Sequence, residues 1–182
     1  MNQPEYAVCH ETDAAEIKRL REALGLTQEK LAELLGCSRP TVERWERSPG
    51  AVKGPIAVLV HMLLDHPEYM ASRRIPEKTY PLRLMYMYRQ QLCTIIDVDE
   101  SRRQVQIWNY TDHFLFRAFG VNEHPTYAEY EDFLESRCFP RERDKMKLVL
   151  RDLGIPFYDP FLIIEKTQGR MAEDNFWIRI VR

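Results

Sequence analysis

Histidine beside a carboxylate is a common source of acid–base chemistry, and the sequence offers that adjacency at Asp112-His113 and Glu123-His124. Neither pair has a nucleophile or oxyanion donor spaced to complete a catalytic set, so both read as surface polar residues. There is no Gly-rich phosphate loop, His-Glu-x-x-His or Gly-x-Ser-x-Gly motif. Cys9, Cys37, Cys93 and Cys138 lie far apart, without a Cys-x-x-Cys pair. A zinc site needs closely spaced thiolates or imidazoles, so free thiols in a reducing compartment are expected, with no metal or other cofactor. What remains is charge. Arg141, Arg143, Lys145, Lys147 and Arg151 crowd one segment behind Arg137, against Glu142, Asp144 and Asp152. Just before it, Glu123, Glu129, Glu131, Asp132 and Glu135 crowd another. The two segments either neutralise each other or form a bipolar surface whose basic side touches nucleic acid or a protein partner. The expectation is a binding protein, not an enzyme.

The composition sets the limits on such a binder. Lys and Arg total 26 against 28 Asp and Glu in 182 residues, a net charge of −2. This excludes an unspecific polycation and an extreme acidic mimic of nucleic acid. Apolar residues make 45% and charged residues 30%, the balance of a soluble globular chain. No stretch reaches the ~20 apolar residues a membrane span needs. The first residues carry no secretory pattern, so a cytoplasmic protein is expected.

The elements that must position these residues fall into two groups, an α+β plan. After a tail over residues 1–13, residues 14–67 read as short helices. Ile17, Leu20 and Leu24 share a face, and Gly25 stops it. Thr27 caps a helix through Leu31, Leu34 and Leu35 that ends at Gly36; Ser38 and Pro40 begin the next, with Val42 and Trp45 inward. Gly54-Pro55 opens an apolar helix that stops at His66-Pro67. Residues 68–81 lose all periodicity and read as a linker. From residue 82 the period becomes two. Leu82 to Tyr88, Leu92 to Val98 and Gln104 to Tyr110 give a hairpin or three-stranded antiparallel sheet. Three helices follow. The first carries the capping box Thr126/Glu129, the second starts at Pro140 and stops at Gly154, and the third is capped by Asp159-Pro160. Residues 175–181 alternate as a closing strand, completing a partner-binding or dimerisation domain over residues 82–182.

Gly25 to Glu46, read as Gly-Leu-Thr-Gln-Glu-Lys-Leu-Ala-Glu-Leu-Leu-Gly-Cys-Ser-Arg-Pro-Thr-Val-Glu-Arg-Trp-Glu, resembles the Cro/phage-repressor (XRE) class of helix-turn-helix. Ala32 is small where two helices would cross, Gly36 permits a left-handed turn, and Val42 and Trp45 would lock the second helix onto the first. The resemblance implies double-stranded DNA as ligand. It places Ser38, Arg39, Pro40, Thr41 and Arg44 at the base-facing end of a recognition helix, and Gln28, Arg47 and Lys53 at phosphates. Arginine can donate two hydrogen bonds to guanine O6 and N7. Pro40 departs from the commoner Ser, Thr or Gln at its slot. Arg44 and Arg47 beside Glu43 also fit a plain solvated face. Because Glu43 and Glu46 oppose phosphate, a single motif binds modestly, and a homodimer over two half-sites is expected.

Phe133 to Arg141 and Gly169 to Ile178 resemble segments of small proteins from bacterial and phage mobile elements. The whole plan is also similar to anti-CRISPR proteins that inhibit a Cas9-type nuclease and bind DNA. These likenesses imply an autoregulatory repressor first. The alternatives are a nuclease inhibitor, or an antitoxin whose second domain holds a toxin.

Overall fold

The computed structural model describes Glu5 and residues 7–182 and falls into two compact units, one ending at Ile75 and the other beginning at Pro76. The first unit contains β1 (Glu11–Thr12), α1 (Ala14–Ala23), α2 (Gln28–Leu35), α3 (Arg39–Arg47), β2 (Val52–Lys53), α4 (Pro55–Asp65) and α5 (Pro67–Ser72). Local chemistry sets the helix ends. Asp13 and Glu16 close a capping box on α1, and Thr27 accepts the Lys30 amide at 3.2 Å to start α2. Gly36 ends α2 at φ 64°, a conformation that strains any residue with a Cβ. Ile17, Leu31, Val42, Ala57 and Val60 are fully buried. Burial of each large aliphatic side chain stabilises the fold by about 1.5–3 kcal/mol.

Two boundaries differ from the sequence expectation. Residues 1–4 and 6 of the expected tail lie outside the described residues, but its end is a strand: Glu11 and Thr12 pair antiparallel with Lys53 and Val52. Residues 68–81 are no uniform linker. Pro67 restarts a helix where His66 ends α4, and Met70 of α5 packs on the core. A six-residue helix with one packed side chain is too short to show a period.

The second unit contains β3 (Leu82–Tyr88), β4 (Gln91–Asp99), β5 (Gln104–Asn109), α6 (Tyr127–Ser136), α7 (Met146–Leu153), α8 (Pro160–Thr167) and β6 (Phe176–Val181). The expected α+β class is observed. The sheet has four strands in the order β5-β4-β3-β6, all antiparallel. Alternation gives it two apolar faces. Leu84, Tyr86, Ile96 and Ile178 pack with Tyr130, Phe133, Ile163 and Ile164 of the helices. Met85, Met87, Ile95 and Tyr110 form a second cluster with Trp108 and Trp177. The Thr126/Glu129 capping box and the Asp159 cap form as expected. The second helix does not start at Pro140. Residues 140–145 are mostly turns, Lys145 adopts φ 61°, and α7 begins at Met146. Arg141 to Lys145 contains no apolar side chain to bury, so a first helical turn there would gain nothing from packing.

Candidate nucleic-acid interface

The pair α2 and α3 is joined by a short turn in which the Cys37 amide donates to Ala32 O at 3.0 Å. Ala32, 3% exposed, allows the close crossing. At 3.6 residues per turn, Val42, Trp45 and Glu46 share the inner face of α3, while Pro40, Arg44 and Arg47 share the outer one. Val42 and Glu46 are buried, and Pro40, Arg44 and Arg47 are exposed. Arg44 and Arg47 have no hydrogen-bond or ion-pair partner among the described residues.

The other candidate residues are distributed as follows. Ser38 stands at the N-cap position but does not cap; its Oγ lies 2.9 Å from Thr41 Oγ1. Arg39 donates from Nε to Glu43 Oε1 at 3.0 Å. Lys53 is 2.6 Å from Glu11 across the β1–β2 ladder. Gln28 does not project free: its Nε2 donates to Glu46 Oε2 at 2.8 Å.

That last bond belongs to a network that pattern reading missed. Arg21 of α1 donates from Nε to Glu46 Oε1 at 2.7 Å and from Nη1 to Leu26 O at 3.3 Å. Glu46 therefore ties α1, α2 and α3 together, and it is 4% exposed. The expected opposition of Glu46 to phosphate does not arise, because its charge is buried and paired. Burial disfavours its ionised form, but the bonds from Arg21 and Gln28 prevail and hold its carboxyl below the ordinary value. Arg21 is raised in turn, chiefly by its bond to Glu46. The signal was available: Glu46 follows Val42 and Trp45 at helical spacing, so an acid faces inward and requires a cation.

The basic residues of the second unit do not share a helix face. Arg141 bonds Glu135 at 2.6 Å and lies over the Tyr158 ring at 4.6 Å. Arg143 lies over Phe139 at 5.7 Å, and Arg151 reaches Asp152 at 3.7 Å. Lys145 and Lys147 are exposed, one in the turn and one on α7. The acidic segment is likewise engaged: Glu123 faces Arg117, Glu129 caps α6, and Glu131 faces Arg103.

Of the candidate catalytic pairs, His113 packs on the Phe114 and Phe116 rings. An open cleft of about 490 Å³ lies beside the start of α1, lined by residues 11–16 and 48–51. Its Asp13 and Glu16 carboxylates are already engaged in the α1 cap. Among the described residues no group of three His, Cys, Asp or Glu is placed to hold a metal ion, and no helix is long and apolar enough to cross a membrane.

Comparison with known proteins agrees with this geometry. Residues 17–65 match the Helix-turn-helix family model. A protein of Pyrococcus furiosus, provisionally named an HTH-type transcriptional regulatory protein, is 36% identical over 55 residues. Those residues are 30% of this chain and only 18% of that relative. No solved structure matches. Residues 17–65, from the middle of α1 to the end of α4, are a helix-turn-helix domain of the XRE type.

Proposed function

We propose that the protein is a transcriptional regulator that binds specific double-stranded DNA through α3, acts as a homodimer and represses its own promoter. The observation that carries this reading is the outer face of α3. Arg44 and Arg47 stand there without partners among the described residues, on a helix fixed from beneath by Arg21, Glu46 and Gln28. Arginines on the solvent face of a recognition helix are placed to read guanine edges and to neutralise phosphates. Ser38, Arg39, Pro40 and Thr41 lead the helix into the groove. Gln28 serves mainly through its amide at the start of α2, and Lys53 reaches phosphate on releasing Glu11. Few cations act per subunit, so two half-sites about 34–36 Å apart supply the affinity. Leu59 and Met62 on α4 and Tyr69 on α5 are exposed apolar side chains that support self-association.

The second unit is a protein-interaction unit in this reading. Phe114, Leu115 and Val121 are 50%, 68% and 78% exposed, on a segment anchored by Phe116 against Tyr88 and Phe176. Arg141, Arg143, Lys145, Lys147 and Arg151 are secondary to it.

The test combines light scattering of the full chain with binding to duplexes selected from a random pool. A dimer that enriches an inverted repeat, and loses it in Arg39→Ala/Arg44→Ala, supports the proposal. Unchanged enrichment by the double variant contradicts it.

A further inference from the structure

Glu43 is an acid on the face of α3 that the proposed function turns toward DNA, where a negative charge opposes phosphate. Its geometry gives it a role. Glu43 Oε1 accepts from Arg39 Nε at 3.0 Å, one helical turn away, with the arginine side chain 60% exposed and the glutamate 28% exposed. A long arginine side chain loses rotamer freedom when it is fixed against a base. Holding Nε beforehand removes part of that cost.

The same bond selects which edge of the guanidinium remains. With Nε engaged, Arg39 presents Nη1 and Nη2, two parallel donors. Guanine offers two acceptors, O6 and N7, in the major groove; adenine offers one acceptor beside an N6 donor. The held arginine therefore matches guanine and meets adenine with a donor against a donor. Among the described residues the second Glu43 oxygen, Oε2, has no partner, and it can only accept. It is suited to the N4 amino group of cytosine and is repelled by the acceptors of guanine and thymine.

We propose that Glu43 is a positioning residue that presents Arg39 to a guanine in each half-site and so helps set the DNA sequence the protein reads. This rests on the proposed DNA binding by α3. The acid lowers general affinity for DNA and raises discrimination, two effects of opposite sign.

The full-length protein and its Arg39→Ala, Glu43→Gln and Glu43→Ala variants are each given a randomised duplex pool, and non-specific affinity is measured on duplex lacking the enriched motif. The wild type is expected to enrich one guanine per half-site. Arg39→Ala should lower preference at that position roughly tenfold or more. Glu43→Ala should lower it several-fold while tightening non-specific binding, with Glu43→Gln between. Loss of the negative charge alone would also tighten non-specific binding, so the fall in base preference is the readout that a plain helix-surface acid would not give. A wild-type motif left unchanged by Glu43→Ala overturns the role of Glu43 and leaves DNA binding standing. A wild type that enriches no motif overturns both.

Discussion

In the helix-turn-helix unit Arg21 is committed to a buried glutamate under the helices, while Arg44 and Arg47 on the outer face of α3 are unpaired among the described residues. In the second unit the buried arginines hold chain segments onto the sheet. Arg83 donates to Asp97 at 2.6 Å and to Pro76 O and Glu77 O, while the Thr79 amide donates to the same carboxylate. Arg137 donates to Asp174 at 2.7 Å and to the carbonyls of Gly169 and Phe176. Other arginines there are held too: Arg103 by Glu131, Arg117 by Glu123 and Arg141 by Glu135. Both units are nearly balanced in charge, and only the placement of partners separates them. In the proposed DNA binding, Arg44 and Arg47 are the cations on the outer face of α3 left without a carboxylate among the described residues, whereas most basic residues of the second unit's charged segment are held by a carboxylate or a ring.

The largest expected effect breaks this contrast from within the second unit. Asp97→Ala leaves the Arg83 guanidinium buried without its counter-ion, and losing one partner of a buried pair costs about 3–5 kcal/mol. Denaturant unfolding followed by the fluorescence of Trp108, whose ring lies 5.8 Å from the Arg83 guanidinium, should shift accordingly.

Glu46→Ala should be next, at about 1.5–3 kcal/mol for the charged hydrogen bonds lost. Its pH signature is distinct. The Glu46 carboxyl is lower in the folded chain than its ordinary value, so its stabilisation is fully present above that ordinary value and disappears as pH falls through the lowered one. Asp174, lowered mainly by its bond from Arg137, loses stabilisation in the same direction. Acid unfolding of Glu46→Ala should therefore be less steep than that of the wild type, with the Asp174 contribution remaining.

A third comparison sets exposed arginines against each other. Arg44→Ala should weaken specific duplex binding roughly tenfold or more. Arg141→Ala, which removes a cation already held by Glu135 and Tyr158, should leave it unchanged in the same titration. Equal losses would erase the distinction between free and held cations.

The smallest effect is Gly36→Ala. Space is open around the added Cβ, so the cost is that of the left-handed backbone alone, on the order of 1 kcal/mol. Thermal unfolding of the variant checks it.

Local signals account for what the sequence revealed. Thr27, Gly36, Pro40 and the Val42/Trp45 spacing specify α2, the turn and α3 within twenty residues, and the capping box of α6 is equally local. The pairing of β6 with β3 is not local. Phe176 opposes Tyr88 across 88 residues, and alternation in a strand says nothing of its neighbour. Pro140 gave a false start signal because residues 141–145 hold no apolar side chain for a first helical turn to bury, and Arg141 turns back to Glu135 instead. Arg21 was missed for a related reason: its importance comes from a carboxylate 25 residues away. Gln28 was assigned to phosphate by position, without the buried acid that takes its amide.

The most direct test of the account measures duplex binding by the full-length protein across a salt series, with Arg44→Ala/Arg47→Ala beside the wild type. The wild type should bind tightly with a steep salt dependence, and the double variant should lose much of the affinity and show a slope shallower by about one for each phosphate contact removed. A double variant that keeps both the affinity and the slope of the wild type would contradict DNA recognition by this face of α3.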